Sequence, residues 1–290
     1  MRLAALLVSG LFLCAPLRAQ TVLPVKSYGQ ELVDQVVAKH PELLAVVMHV
    51  STPTLPDYPI IASNIGRYGK VADRDDLRVV NTGEPHLEAS RDRKRFEVEV
   101  AMRDIVGTTI GALGLVFAYR SGDDPSSFEK QGNAIRDALA RRVLAASALI
   151  EPHPLDPSAT TKTHAQKIVD DLYARHPELN VIALHVDLSD HQGNIILAST
   201  FGRIGKKGDD DDLAVIRSGE IKTGIYGGGK RFGVELPMFD VSGKTVGALS
   251  VGYPYASGDD EKVLVAKAVV VRDELKALTT SAADLVELDP

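Results

Sequence analysis

The sequence predicts an α+β fold made of two tandem domains, each an antiparallel sheet with flanking helices. Three observations carry that reading. Shifted by 136 positions, residues 28–142 match residues 164–278 without a gap, with more than a third of the pairs identical, so the chain holds two copies of one module. His40-Pro41-Glu42-Leu43 returns as His176-Pro177-Glu178-Leu179, and Ser121-Gly122-Asp123-Asp124 returns as Ser257-Gly258-Asp259-Asp260. Inside each copy the apolar period runs helix, two strands, short helical segment, two-strand hairpin, helix, which places helices on one side of an antiparallel sheet.

The elements follow in order. Arg2, an apolar run over 3–13 and Leu17-Arg18-Ala19 before Gln20 read as a secretory signal over 1–19, because the run is short of the roughly 20 residues a bilayer span needs. Module 1 spans 20–150, a Pro-rich linker 151–162 and module 2 163–290. Each module opens with an amphipathic helix, 31–39 or 166–175, in which Leu32, Val33 and Val36 match Ile168, Val169 and Leu172 at helical spacing. His-Pro then stops the helix, since proline disfavours helical geometry in the residue before it.

Strands follow at 44–50 and 60–63 in one copy and at 181–188 and 195–199 in the other. The acidic clusters ending at Asp76 and Asp212 suit the positive end of a helix dipole, so a short helix starts there. Residues 231–240, a turn at Ser242-Gly243 and 245–255 form a hairpin, and Ser257-Gly258-Asp259-Asp260 caps a last helix to about residue 278. Residues 85–93 and 221–229 differ completely between copies and read as chemically different lids over a pocket.

Composition narrows the function. The net charge is −6, with no basic face for phosphate neutralisation, so nucleic acid is not an expected partner. Cys14, the one cysteine, lies in the signal, so a mature chain from Gln20 would have no disulfide and no thiolate site. Lys267 interrupts the apolar run 263–271, which leaves no membrane span after signal cleavage. The expected compartment is periplasmic or secreted.

The hairpin Pro237-x-x-Asp240-x-x-Gly243-Lys244-x-x-Gly247-Ala248-Leu249 resembles the signature hairpin of Cache domains, extracytoplasmic relatives of PAS sensors. Asp104-x-x-Gly107-x-x-x-Gly111-Ala112-Leu113 repeats it, with Ala101 in place of Pro237 and Gly107-Thr108 in place of the Gly-Lys turn. The resemblance covers both repeats in element order. It implies two PAS/Cache-like domains and a small organic ligand held between sheet and overlying loops. Most members of the family are fused to a transmembrane helix and a signalling module, which this sequence lacks, so an envelope signalling protein becomes the expected partner.

Candidate ligand contacts come from strand alternation. Val181, Ala183, His185 and Asp187 share one face, as do Arg231, Gly233, Glu235 and Pro237; the module 1 counterparts include His49, Arg95 and Glu99. Buried Arg and Glu need partners, so His185, Arg231 and Glu235 are expected to line one polar cavity that holds a carboxylate or amino acid. The alternative is an internal Arg-Glu pair or a solvated strand face. Arg203 in Arg203-x-Gly205-Lys206, like Arg67 in the first copy, faces an anion or forms a simple turn. Tyr255 stands at a strand end as an apolar cover. The run Asp209-Asp210-Asp211-Asp212 lacks the oxygen donor and glycine of a calcium loop at Leu213 and Ala214, and no cofactor or metal is expected.

No serine elbow, HExxH or predictable carboxylate pair is present, so the leading expectation is a non-enzymatic tandem sensor for sensing or delivery, with module 2 favoured as the binder. The alternatives are a ligand-free interaction module of the cell envelope and a hydrolase of unfamiliar design using His185 with Asp187.

Overall fold

Capping chemistry sets the ends of the helices. The structure is a computed structural model that describes residues 26–188 and 193–288; the signal read over 1–19, with Cys14, lies outside them. Module 1 runs α1 (Tyr28–Lys39), β1 (Leu43–Val50), β2 (Ile60–Ser63), α2 (Arg74–Thr82), β3 (His86–Ala89), β4 (Arg95–Arg103), β5 (Thr109–Ala118) and α3 (Pro125–Ala140). Module 2 runs α4 (His164–Arg175), β6 (Val181–Leu188), β7 (Gly193–Ser199), α5 (Asp210–Ser218), β8 (Lys222–Tyr226), β9 (Arg231–Phe239), β10 (Thr245–Pro254), α6 (Glu261–Leu278) and α7 (Ala282–Leu285). Ser27 and Thr163 accept the N–H groups of Gln30 and Gln166 to start α1 and α4. Asp73 with Asp76, and Asp209 with Asp212, form reciprocal capping boxes on α2 and α5, so the acidic clusters are helix starts.

Each module builds a five-stranded antiparallel sheet, in the orders β2-β1-β5-β4-β3 and β7-β6-β10-β9-β8. This is the α+β class expected. The outermost strands β3 and β8 correct the reading of 85–93 and 221–229 as lids: Leu87 pairs with Val98, and Thr223 with Val234, so these residues close the sheet edge. Their apolar signal is weak because an edge strand with a half-exposed face needs little burial.

The main cores lie under the long helices. Leu32, Val33 and Val36 of α1 and Ile135 and Leu139 of α3 pack on Val46, Val98, Leu113 and Leu115, and module 2 repeats the arrangement around Ile168, Leu172, Val234 and Val271. The short helices lie on the opposite face, which corrects the expectation of helices on one side only. Val79 of α2 reaches the sheet over Ala101 and Ala112, small residues that let a helix approach. A cleft is left beside it.

The Gly-Ala-Leu of the hairpin signature has a physical cause here. A Cβ on Gly111 or Gly247 would run into the carbonyl oxygen of His49 or His185 on the neighbouring strand, Ala112 sits beneath Val79, and Leu113 enters the core. Gly247→Ala is expected to cost about 2 kcal/mol through the displaced strand pair. Chemical denaturation will read it; a change within error would show that β10 can shift freely.

The two modules meet through residues 151–162, which are pinned and do not act as a free spacer. Tyr28 N–H donates to the Glu151 carbonyl at 2.9 Å, and Leu155 N–H to that of Ile204 at 2.8 Å. Arg203 grips Glu151 with two hydrogen bonds of 2.8 Å. Arg141 lies 4.2 Å over the Tyr173 ring. Ile105, at the β4–β5 turn, and Leu144 pack with Val181, Ala183, Ile196, Phe201 and Ile204 on the outer face of module 2.

Candidate functional site

The pleat of β4 sends Arg95, Glu97 and Glu99 to the outer face of module 1, away from α1 and α3. There they meet His49 from β1 and Asp73 and Asp76 from the start of α2, around a cavity of about 440 Å³. Ala45, Val47 and Ile65 supply an apolar wall, while Arg67, Lys70 and Arg95 stand at the rim.

Negative charge dominates this cavity. Glu88 lies directly across from Glu97 in the β3–β4 register, where like charges repel. Burial, opposed by His86 and helped by Glu88, raises the Glu97 carboxyl. Glu99 is 8% exposed, and its Oε2 has no hydrogen-bond partner. Burial, then the charges of Asp76 and Glu97, push its carboxyl up to about 8. His49 is buried, with Nδ1 2.9 Å from the Tyr58 carbonyl and Nε2 3.7 Å from Asp76 Oδ2. Donation to that carbonyl fixes the proton on Nδ1 and turns Nε2 toward Asp76.

Module 2 presents the same face in a different state. Its cavity measures about 230 Å³ and is lined by Asp211, Lys222, Tyr226 and Glu235, with Gly224 and Gly233 where module 1 has Glu88 and Glu97. The Tyr226 ring lies over both glycines, so a Cβ at either would come within 2.7 Å of it. Glu235 Oε2 has no hydrogen-bond partner, and burial, then Asp212 and Asp209, raise its carboxyl to about 7. The rest of the face lies under Ile105 and Leu144. The roomier cavity therefore belongs to module 1, not to the module the hairpin pattern favoured.

The eight candidate residues divide evenly. His49, Arg95 and Glu99 line the first cavity and Glu235 the second. His185 is buried with Nδ1 3.1 Å from Asp212 Oδ2; burial works to raise that aspartate, but His185, the Asp209 N–H and Lys206 together hold the carboxyl low. The Arg231 guanidinium lies 5.2 Å over the Tyr226 ring, outside the cavity wall, so His185, Arg231 and Glu235 do not form the one pocket expected. Arg203 is spent on Glu151. Tyr255 stacks on Phe232 at 5.7 Å and donates to Glu261, against the core edge and away from either cavity.

The anion reading of Arg67-x-Gly69-Lys70 gives way to the turn. Gly69 N–H donates to the Ile60 carbonyl and Lys70 N–H to that of Arg67, so these amides are occupied, and Lys70 Nζ reaches Asp73 at 3.2 Å. Glu88, Glu97, Asp73 and Asp76 are site residues the sequence reading missed. The alternation Arg95-x-Glu97-x-Glu99 was a usable signal for one of them.

No family model matches the chain, and no curated protein matches it. Solved structures give weak likenesses. PelD from Pseudomonas aeruginosa PAO1 is 15% identical with a TM-score of 0.29, over 92% of this chain and 83% of that one. The inducer-binding domain of the PobR transcription factor from Acinetobacter, a double mutant in complex with 3-hydroxybenzoic acid, is 13% identical with a TM-score of 0.27, over 40% of this chain and 97% of that one. The chromophore-binding domain of a Stigmatella aurantiaca bacteriophytochrome is 11% identical with a TM-score of 0.26, over 83% and 92%. Likenesses of this size fix neither family nor function.

Proposed function

We propose that the chain is an exported tandem Cache-like sensor protein, without catalytic activity, whose module 1 binds a small organic molecule of amino-acid type through its amino group. The observation that carries this reading is Glu99, a buried carboxyl that faces the cavity with an unpartnered oxygen. Buried polar groups are rarely left unsatisfied, and an ammonium would satisfy Glu99 while neutralising the carboxylates around it. Arg95 at the rim suits the carboxylate end of an amino acid, and Ala45 and Val47 suit an apolar side chain. The volume falls in the range of small-ligand sites. A simple carboxylate fits less well, because it would add an anion to a cavity lined by Asp73, Asp76, Glu88, Glu97 and Glu99.

Thermal-shift screening tests the reading with amino acids, simple amines and simple carboxylates as separate arms. A binder at 100 times its dissociation constant adds about 2.7 kcal/mol to native stability. Amino-group compounds are expected to raise the melting temperature. A response confined to simple carboxylates, or silence from a folded protein, would overturn the proposal.

A further inference from the structure

Part of the docking of module 1 on module 2 uses surfaces that the repeat supplies twice, and there the second set is exposed. On the receiving side, Phe201 and Ile204 of module 2 are 7% and 1% exposed beneath module 1 and linker residues 155–159, whereas their counterparts Ile65 and Tyr68 are both 47% exposed. On the inserting side, Ile105 at the β4–β5 turn covers that apolar patch, whereas its counterpart Val241 at the β9–β10 turn is 54% exposed. Both turns are held alike, with Ile105 N–H donating to Val143 and Val241 N–H to Thr279.

Charge repeats with shape. Arg203 is gripped by Glu151 in the internal junction. The counterparts are Arg67 and Glu287, both exposed and neither in an ion pair among the described residues. Arg67 and Arg203 share the left-handed backbone, with φ of 65° and 61°. Glu287 leaves its module as Glu151 does: His164 N–H donates to the Glu287 carbonyl as Tyr28 N–H does to that of Glu151, and the bridge Thr163–Leu288 mirrors Ser27–Pro152. The second set lacks part of the internal contact: Thr280 stands for Leu144, Ser242 for Val106, Ala277 and Leu278 for Arg141 and Arg142, and Val37 for Tyr173, so the inserting face of module 2 is smaller and has no cation to lay over a ring.

We propose that module 2 of one copy docks on module 1 of a second copy, head to tail, with Val241 seated against Ile65 and Tyr68 and Glu287 paired with Arg67. The inserting and receiving faces are different surfaces, so one contact leaves the outer face of each partner free and the chain of copies continues. The contact between copies is weaker than the internal one, which the continuous chain holds at high effective concentration. This inference rests on the repeated interface and stands apart from the ligand reading, although the same contact would cover the Leu44 and Ile65 side of the cavity.

Sedimentation velocity of the ligand-free protein over a concentration series tests it. The weight-average mass is expected to rise with concentration for the wild type and to stay monomeric for Ile65→Asp and for Val241→Asp, both changes at exposed positions that leave the fold intact. A 1:1 mixture of these variants retains one good inserting face and one good receiving face, so it is expected to stop at a pair. Arg67→Glu is expected to weaken assembly, and Glu287→Arg in the same chain to restore it. A wild type that stays monomeric at hundreds of micromolar, an Ile65→Asp that assembles like the wild type, or a mixture that stays monomeric would each overturn the proposal.

Discussion

Glu99→Gln is expected to lower the affinity of module 1 for an amino-group ligand by about 10- to 100-fold, the worth of one hydrogen bond to a charged partner, roughly 1.5–3 kcal/mol. The change keeps the size of the side chain and removes only its capacity to become an anion. Glu97, Asp73 and Asp76 still draw the cation toward the cavity, which is why the loss is bounded. Because Glu99 holds its proton up to about 8, an ammonium must displace that proton, so binding at neutral pH releases it to buffer. Titration calorimetry in two buffers of different ionisation enthalpy reads both effects. Glu235→Gln, in the other module, is expected to leave the affinity unchanged, and equal losses in the two variants would remove module 1 from its assigned role.

The same carboxyl makes the unliganded fold weaken as pH rises. An unfolded glutamate loses its proton near 4.5, whereas Glu99 in the fold holds it to about 8. Between those values the native state binds the extra proton, so the stability this supplies is complete below about pH 4.5 and is lost as pH climbs through 8. Glu235, raised to about 7, adds a second loss of the same sign. Asp212 acts in the opposite sense but only in acid, below the ordinary aspartate range, and leaves this window alone. A shift of one pH unit corresponds to about 1.4 kcal/mol, and both groups are partly screened, so a loss of about 2–4 kcal/mol from pH 5 to pH 8 is expected. Denaturant melts across that range will show it. Glu99→Gln should flatten most of the slope, and a wild type equally stable at both ends would contradict the placement of this side chain.

Much of the fold was legible because the repeat supplied each signal twice. Residues 181–188 and 60–63 are strands with the expected bounds, and both acidic clusters open helices, since helix caps and apolar runs are local properties of the chain. Edge strands β3 and β8 escaped because His86 and Glu88 alternate with Leu87 at a partly wet sheet edge, where burial leaves little pattern. The candidate site was half legible. His49, Arg95 and Glu99 follow from strand alternation, but Asp76 reaches the cavity only because α2 crosses to the outer face, a tertiary choice made by Val79 over two alanines. The loss of room in module 2 could not be read locally at all. It depends on Ile105 lying against Phe201 and Ile204, and on a tyrosine filling the space two glycines leave.

That contact separates what was copied from what folds. The sequence repeats as interchangeable halves, yet Val181, Ala183, Ile196, Phe201 and Ile204 are sheltered by residues of the other half. Cutting the chain at 151–162 would respect the ancestry and still strip a greasy face bare, so a solitary second half would inherit a sticky flank. The first half would lose the cover over Ile105 and Leu144, while Ile65 and Tyr68 on its own matching surface already meet water.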